Sequence, residues 1–320
     1  MASNDTDIAA ILSDPSLSRV SDSLARLARH SVRFSATLSD ESCFTLGDSK
    51  LGGLPDLPLG LEWPTGRLNV PPFSPGAIRS YSGVPLPADA VIPLPFIAQI
   101  RLSDINAVVP QLSFDGLAGQ GGTLLPPNGI LYFFYNTVFY GYDWLAPANW
   151  CVFWHEEDSS LRRLEFPSAV PEECRYQPCA LTFTTEATLP HVETCFIGNR
   201  GDTGGALALA EDEWDVYSDL LYEQRANHKI HQMLGHSDDY QPYMMESGYW
   251  RVRRQFFPDM PSMEKFALDS LQPELETGRL LLQVDAESNG MEFGRGGRLY
   301  FFIRSQDLAE RDFSRVWVTE

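Results

Sequence analysis

No run of apolar residues in this 320-residue chain reaches the ~20 needed to cross a bilayer as a helix, so no membrane span is expected. The first residues, Met1-Ala2-Ser3-Asn4-Asp5-Thr6-Asp7, are acidic where a secretory signal is basic. Basic residues are scarce: 24 Lys and Arg stand against 43 Asp and Glu, for a formal net charge of −19. No local basic patch offsets that field. It repels phosphate backbones and anionic lipid, so neither nucleic acid nor a membrane is expected as partner. A partner protein with a basic surface suits the field better. Cysteine is sparse and odd in number: Cys43, Cys151, Cys174, Cys179 and Cys195. Thiols so scattered do not make a disulfide framework and point to a reduced, cytoplasmic setting.

Catalytic signatures are missing too. There is no Gly-x-Ser-x-Gly elbow, no Walker loop, no dinucleotide fingerprint and no His-Glu-x-x-His. Whether the protein is an enzyme is therefore left open, no cofactor is expected, and no reaction is named by the sequence.

What is present is enough apolar residue, 43%, for a sizeable core without staples. Asp14-Pro15 reads as a helix start, followed by Leu17, Val20, Leu24 and Leu27 at helical spacing. This gives an amphipathic helix region over residues 1–30, docked on one domain over 31–320. Val32, Phe34, Ala36 and Leu38 alternate with polar residues as a half-buried strand does. Pro71–Pro95 and Asp259–Glu276 read as excursions, the second with a short helix around Phe266, Leu268 and Leu271. Gly116–Gly122 reads as a loop tip. Trp144, Trp150, Phe153 and Trp154 form an aromatic segment. Glu211, Asp212, Glu213 and Asp215 open an acidic helix whose apolar side is Trp214, Tyr217, Leu220 and Leu221.

Three small constellations have a chemical and a structural reading each. Gly52-Gly53 offers backbone N–H groups to an anion but lacks the phosphate-loop spacing, which favours an ordered loop. Cys174, Cys179, His191 and Cys195 are zinc-type ligands at loose spacing, and buried thiols are the commoner outcome. His228 and His231 read as the last turn of a helix stopped by Gly235. No metal is expected from either set.

The organising feature is an echo. Lys50-Leu51-Gly52, Phe96-Ile97-Ala98-Gln99-Ile100 and Gly129-Ile130-Leu131-Tyr132-Phe133-Phe134 return as Met233-Leu234-Gly235, Leu281-Leu282-Gln283-Val284 and Gly297-Arg298-Leu299-Tyr300-Phe301-Phe302. We read an internal duplication, with half-repeats at about 31–200 and 201–320. The fold class expected is α+β, mainly antiparallel sheet built from two weakly related halves with flanking helices. Gln99 and Gln283 each interrupt an apolar strand, and a buried amide needs a partner, a water or a ligand. Asp285 shares the face of Gln283. A core network satisfies these groups on one reading. On the other, the two glutamines floor a groove between the halves, edged by Lys50 and His231, with Asp285 orienting His231 if a reaction occurs there.

The same strings resemble the YwqG-like family, a bacterial-centred group of unknown function. They comprise Ser49-Lys50-Leu51-Gly52-Gly53-Leu54-Pro55 with Trp63-Pro64, Pro95–Ile100, Gly129–Tyr135, His231–Gly235 with Gln241, Leu280–Asp285, and Gly297–Ile303 with Asp307-Leu308. The resemblance covers about residues 30–317. It implies an α+β fold of two related halves. Because some relatives lie near bacterial toxin systems, it also implies an immunity or interaction role. The candidate ligand-binding set is Lys50, Gln99, His231, Gln241, Gln283 and Asp285. The function expected is a non-catalytic binding protein, with a small-molecule-binding protein or enzyme as the alternative.

Overall fold

The computed structural model describes residues 6–67, 90–108, 125–137, 149–156, 160–197, 207–225, 231–239, 244–256, 272–287, 289–293 and 297–320. The chain opens with α1 (Thr6–Leu12), α2 (Ser21–Leu27), β1 (Arg29–Leu38), β2 (Lys50–Leu51), β3 (Asp56–Pro58), β4 (Thr65–Arg67), β5 (Val91–Pro93), β6 (Phe96–Arg101) and α3 (Leu102–Val108). It continues through β7 (Ile130–Tyr135), β8 (Trp150–His155), β9 (Leu161–Arg163), β10 (Cys179–Thr188), α4 (Glu211–Arg225), β11 (His231–Leu234) and α5 (Met244–Phe256). It ends with α6 (Gln272–Leu275), β12 (Gly278–Val284), β13 (Leu299–Arg304), α7 (Ser305–Ala309) and β14 (Trp317–Thr319).

Ten strands form one sheet in the order β14-β13-β12-β11-β1-β10-β2-β6-β7-β8, with every ladder antiparallel. β3–β9 and β4–β5 are separate two-stranded ribbons. The architecture is α+β and mainly antiparallel, as the strand patterns require. Its centre is the ten-residue ladder of β1 on β10.

The sheet is rolled almost into a barrel. β13 and β7 stand seven strand spacings apart, roughly 34 Å on a flat sheet. Yet the rings of Phe301 and Phe133 are 5.1 Å apart. The two edges also meet: Trp150 Nε1 donates to the Val316 carbonyl at 3.0 Å, and the Tyr135 hydroxyl to Glu320 at 3.3 Å. The concave face holds an apolar core that includes Phe34, Ile100, Phe133, Val284, Phe301 and Ile303.

Outside, the two flanks are covered differently. Tyr300, Phe302 and Trp317 pack under the helical layer with Leu24, Trp214, Tyr217 and Tyr249. Phe96, Ile130, Tyr132 and Phe134 pack under Leu57 and Leu161 of the β3–β9 ribbon. A bulge in β6 between Phe96 and Ala98, and one in β12 between Leu280 and Leu282, each turn two successive residues inward. Gln99 and Gln283 are thereby placed on the outer face.

Local expectations met mixed outcomes. Asp14 does cap, accepting the Ser16 N–H at 2.8 Å, but the turn it starts is a 3-10 turn over Pro15–Leu17. A second start at Ser21 gives α2, so the amphipathic stretch is two short pieces rather than one helix. Leu17, Val20 and Leu24 are buried as the spacing required. α4 forms with Trp214, Tyr217 and Leu221 inward. His231 is corrected: it lies on β11, because the slot between β1 and β12 takes an extended segment there. α5 was not anticipated; Gly248 in its middle argues against a helix, but a side chain there would stand 3.1 Å from Trp317. The Gly116–Gly122 tip, Trp144, His228, Gln241, Phe266, Leu268, Leu271 and most of the Pro71–Pro95 excursion lie outside the described residues.

Candidate functional site

Two turns position the polar groups that the sequence singles out. β2 ends in two successive left-handed residues, Gly52 (φ 64°) and Gly53 (φ 73°). β11 ends the same way, in Leu234 (φ 60°) and Gly235 (φ 70°). Three residues after the second left-handed residue of each turn comes an aspartate, Asp56 or Asp238. Across the ladders, Lys50 faces Gln99 and Gln232 faces Gln283. The echo is thus registered one residue away from the sequence alignment, with Lys50 matching Gln232 rather than Met233.

Each aspartate sits in a cradle. The Asp56 N–H donates to Gln99 Oε1 at 2.8 Å, and Gln99 Nε2 donates to Asp56 Oδ2 at 2.9 Å and to the Asp48 carbonyl at 2.8 Å. The Tyr132 hydroxyl donates to the Asp56 carbonyl at 2.6 Å. Arg163 Nε (2.7 Å) and Nη2 (3.3 Å) and the Gly47 N–H (3.0 Å) also donate to the carboxylate. Lys50, fully buried, reaches Glu41 at 2.8 Å and Asp56 at 3.5 Å. Burial opposes ionisation of Asp56, but the Arg163 hydrogen bond and the Lys50 charge outweigh it and hold the carboxyl below its usual range.

The second cradle repeats the first. The Asp238 N–H donates to Gln283 Oε1 at 2.9 Å, Gln283 Nε2 donates to Asp238 Oδ2 at 3.0 Å, and the Tyr300 hydroxyl donates to the Asp238 carbonyl at 2.9 Å. Arg33 grips the carboxylate through both Nη atoms while its Nε donates to Glu186 at 2.5 Å. Arg225 stands 3.3 Å away. Burial again opposes ionisation, and the Arg33 charge and hydrogen bond, with Arg225, drive the Asp238 carboxyl far below the ordinary range.

Gln99 and Gln283 therefore spend their amides on Asp56 and Asp238. They point outward on opposite flanks, five strand spacings apart, or roughly 24 Å along the sheet. The space that the rolled sheet encloses is the apolar inner core. The two glutamines are not brought together over a groove.

His231 faces inward and stacks on Phe34, with ring centroids 5.3 Å apart. Its Nδ1 accepts the Asp285 N–H at 3.2 Å, which leaves the proton on Nε2, 3.1 Å from Glu287. What Asp285 offers the imidazole is thus backbone, while its carboxylate accepts from Arg298 Nε and the Ala286 N–H, both at 2.6 Å. The carboxylate on the ring is that of Glu287, a residue outside the sequence-derived set. Burial lowers the His231 pKa, and the Glu287 bond opposes it.

The zinc-type ligands do not converge. Cys174 lies by Thr137 and Cys179 opens β10. Cys195 donates its N–H to Glu246 at 2.6 Å, and His191 lines a separate cavity. Burial raises the pKa of Cys174 and Cys179 to about 11, so both are thiols. Among the described residues no group of three or more His, Cys, Asp or Glu has ligand geometry, and no helix is long and apolar enough to cross a membrane.

Sequence reasoning missed Asp56, Asp238, Tyr132, Tyr300, Arg33 and Arg163. The signal for the aspartates was there in Gly53-x-x-Asp56 and Gly235-x-x-Asp238, hidden by the one-residue shift. It also missed the cavity between the start of β1, the start of β12 and the segments after β10 and β11. That cavity is lined in part by Arg29, His191, Thr194, His236, Ser237 and Asp239.

No curated protein matches the chain. A family model does match, over residues 49–320, from the end of the first-cradle loop to the last residue. The chain belongs to the family described as a domain of unknown function, DUF1963.

Proposed function

We propose that the protein is a non-catalytic, cytoplasmic binding protein of YwqG-like type whose partner is a protein with a basic surface. The distribution of charge carries this reading. Arg19, Arg33, Lys50, Arg163, Arg225, Arg298 and Arg304 all face carboxylates within the fold. Those cations are committed internally, while the net charge remains −19. On α4, Glu211, Asp215, Asp219 and Glu223 recur every fourth residue on the exposed side, with Asp212 and the 77%-exposed Tyr222 beside them. The Asp219–Glu223 pair, of like charge at that spacing, costs the helix about 0.2–0.5 kcal/mol. A basic partner offsets that cost. The resemblance to YwqG-like proteins supports an immunity or regulatory role for such binding.

The matched cradles and the strand order favour a duplication in which β10, rather than a point near residue 200, opens the second half. Lys50, Gln99, Gln283 and Asp285 then serve to hold the fold rather than to touch a ligand.

The test is capture from lysate with the wild-type chain and with a variant carrying Glu211→Lys, Asp215→Lys, Asp219→Lys and Glu223→Lys. Retained proteins should be basic, should elute as salt rises, and should be lost with the variant. Retention that ignores both salt and the four substitutions would overturn the reading.

A further inference from the structure

The cavity beside the second cradle is built against its own chemistry. Asp239 keeps an edge at the surface, yet both of its carboxylate oxygens are buried with none in full hydrogen-bond geometry, and the Ser237 side chain is a donor near enough to favour its charge. Glu246, on the first turn of α5, is 1% exposed. One of its carboxylate oxygens accepts the Cys195 N–H at 2.6 Å, and the other has no partner. The two acids are close enough for the Glu246 charge to oppose ionisation of Asp239. Buried carboxylate oxygens left without donors are rare in folded proteins, because each forfeits its hydration for nothing.

Of the two acids Asp239 lines the cavity, with Glu246 near enough to act on it by charge, and the rest of the wall adds acceptors. His236 Nε2 lies 2.7 Å from the Leu27 carbonyl and must donate to it, so Nδ1 is a bare acceptor. Burial keeps both His236 and His191 neutral near pH 7, the latter with its pKa lowered to about 4. Thr194 turns its hydroxyl proton to the His191 carbonyl. Arg29 is the cation on this wall; its guanidinium lies over the Phe196 ring at 4.5 Å and donates to the Gly278 and Glu276 carbonyls. Arg225 and Arg33 are held on Asp238, and Arg279 donates to the same two carbonyls as Arg29. The space is small, with room for about one water-sized body. A guest that donates and does not accept, carries positive charge and is no larger than water would satisfy it.

We propose that this cavity is a binding site for one small ammonium-type cation, held on the carboxylate of Asp239, with the charge of Glu246 nearby and the acceptor nitrogen of His236 in its wall. Binding is linked to a proton. Burial, with the Glu246 charge, pushes the Asp239 carboxyl up to about 8, so without a guest it is protonated near pH 7. Its unfolded counterpart is ionised there, so this residue costs the fold stability as pH rises from about 4 to about 8, and a bound cation removes that cost. The exchange balances: the ammonium ion enters, the Asp239 O–H breaks, and the proton leaves to solvent. The net charge of the site is unchanged.

The full-length protein is tested by thermal unfolding in chloride salts of ammonium, methylammonium, potassium and tetramethylammonium at equal ionic strength. Ammonium should raise the midpoint by several degrees over tetramethylammonium. Potassium, equal in size but without N–H donors, should do less. Methylammonium separates the free ion from the head of a primary amine: a matching rise assigns the site to amine heads, and no rise assigns it to the ion alone. Calorimetric titration with ammonium chloride should show a proton released near pH 7 and little release above about pH 9, where Asp239 is already ionised. Asp239→Asn should abolish both effects, and Glu246→Gln should weaken them should the first variant fail to fold. Equal midpoints in ammonium and tetramethylammonium, or a midpoint rise that survives Asp239→Asn, would overturn the proposal. So would ammonium binding without proton release. None of these outcomes depends on whether a basic protein partner exists.

Discussion

At the scale of single residues, the two glutamines decide what kind of molecule this is. Each amide joins a buried strand to a buried aspartate through both its oxygen and its nitrogen. Gln283→Leu keeps the volume and removes the pair, leaving the Asp238 N–H without its acceptor and the carboxylate short of a donor. Loss of such a partner costs about 1–3 kcal/mol, more when the orphan is charged. Gln283→Leu and Gln99→Leu should therefore each lower the unfolding free energy by about 2–3 kcal/mol in denaturant titrations, with the denaturant slope unchanged. Changes within about 0.5 kcal/mol, the usual effect of a surface site, would mean that the amides serve something other than the fold. The sequence flagged these residues correctly as polar intruders needing partners. It could not name the partners, because Asp56 lies 43 residues from Gln99 and Asp238 lies 45 from Gln283. Nothing periodic marks a contact across such a distance. Lys50 and His231 were singled out as edges of a groove, and both turn out to be buried beside carboxylates, Glu41 and Glu287, that carried no signal of their own.

At the scale of elements, alternation made β1 legible, apolar runs made β6, β7, β12 and β13 legible, and helical spacing did so for α4. What they did not convey is the pair of bulges that turns each glutamine outward, since a bulge leaves the apolar string unbroken. The turns after β2 and β11 were equally hidden, although their glycines were visible. Gly235 is held at φ 70°, and a Cβ there would lie 2.6 Å from Thr188 Oγ1 and 2.7 Å from the Ser31 Cβ. Thr188 Oγ1 is already committed, accepting the His236 N–H at 2.9 Å and donating to the Arg29 carbonyl at 3.1 Å. Gly235→Ala thus combines backbone strain of about 1–2 kcal/mol with displacement of a bonded hydroxyl. It should cost about 2–4 kcal/mol. Gly290, at φ 92° with nothing within 4 Å of where a Cβ would stand, supplies the control: Gly290→Ala should cost only the backbone share, about 1 kcal/mol. Equal losses at the two positions, read from chemical denaturation, would show that the close approach at Gly235 contributes nothing.

At the scale of the whole molecule, the strand order is symmetrical about the β1–β10 ladder: β11 and β2 flank it, then β12 and β6, β13 and β7, β14 and β8. In the duplication proposed above, the first strand of each half lies against the second strand of the other, β1 on β11 and β10 on β2. No single-sequence pattern reports such an exchange, because either strand's alternation is satisfied by any apolar surface. It has a consequence for the family boundary at residue 49, which leaves β1 outside the matched segment. β1 is the strand that joins β10 to β11, paired along its whole length with the first and at Ser31–Phe34 with the second. It carries Arg33, the main counter-charge of Asp238, and Phe34, the platform under His231. Ahead of it, Ile11, Leu17, Val20 and Leu24 fill the helical layer. A chain cut to residues 49–320 would expose two inner strand edges, a buried aspartate without its main counter-charge and that apolar layer. It should fail to give a cooperative unfolding transition and should elute as aggregate, whereas the full chain should unfold in a single transition. Adding residues 1–48 as a separate chain during refolding should restore part of the folded population, since the missing strand slots between two complete ladders. A soluble, cooperatively folding 49–320 fragment would show instead that β10 and β11 can close on each other, and that the central ladder is an addition to the fold rather than its join.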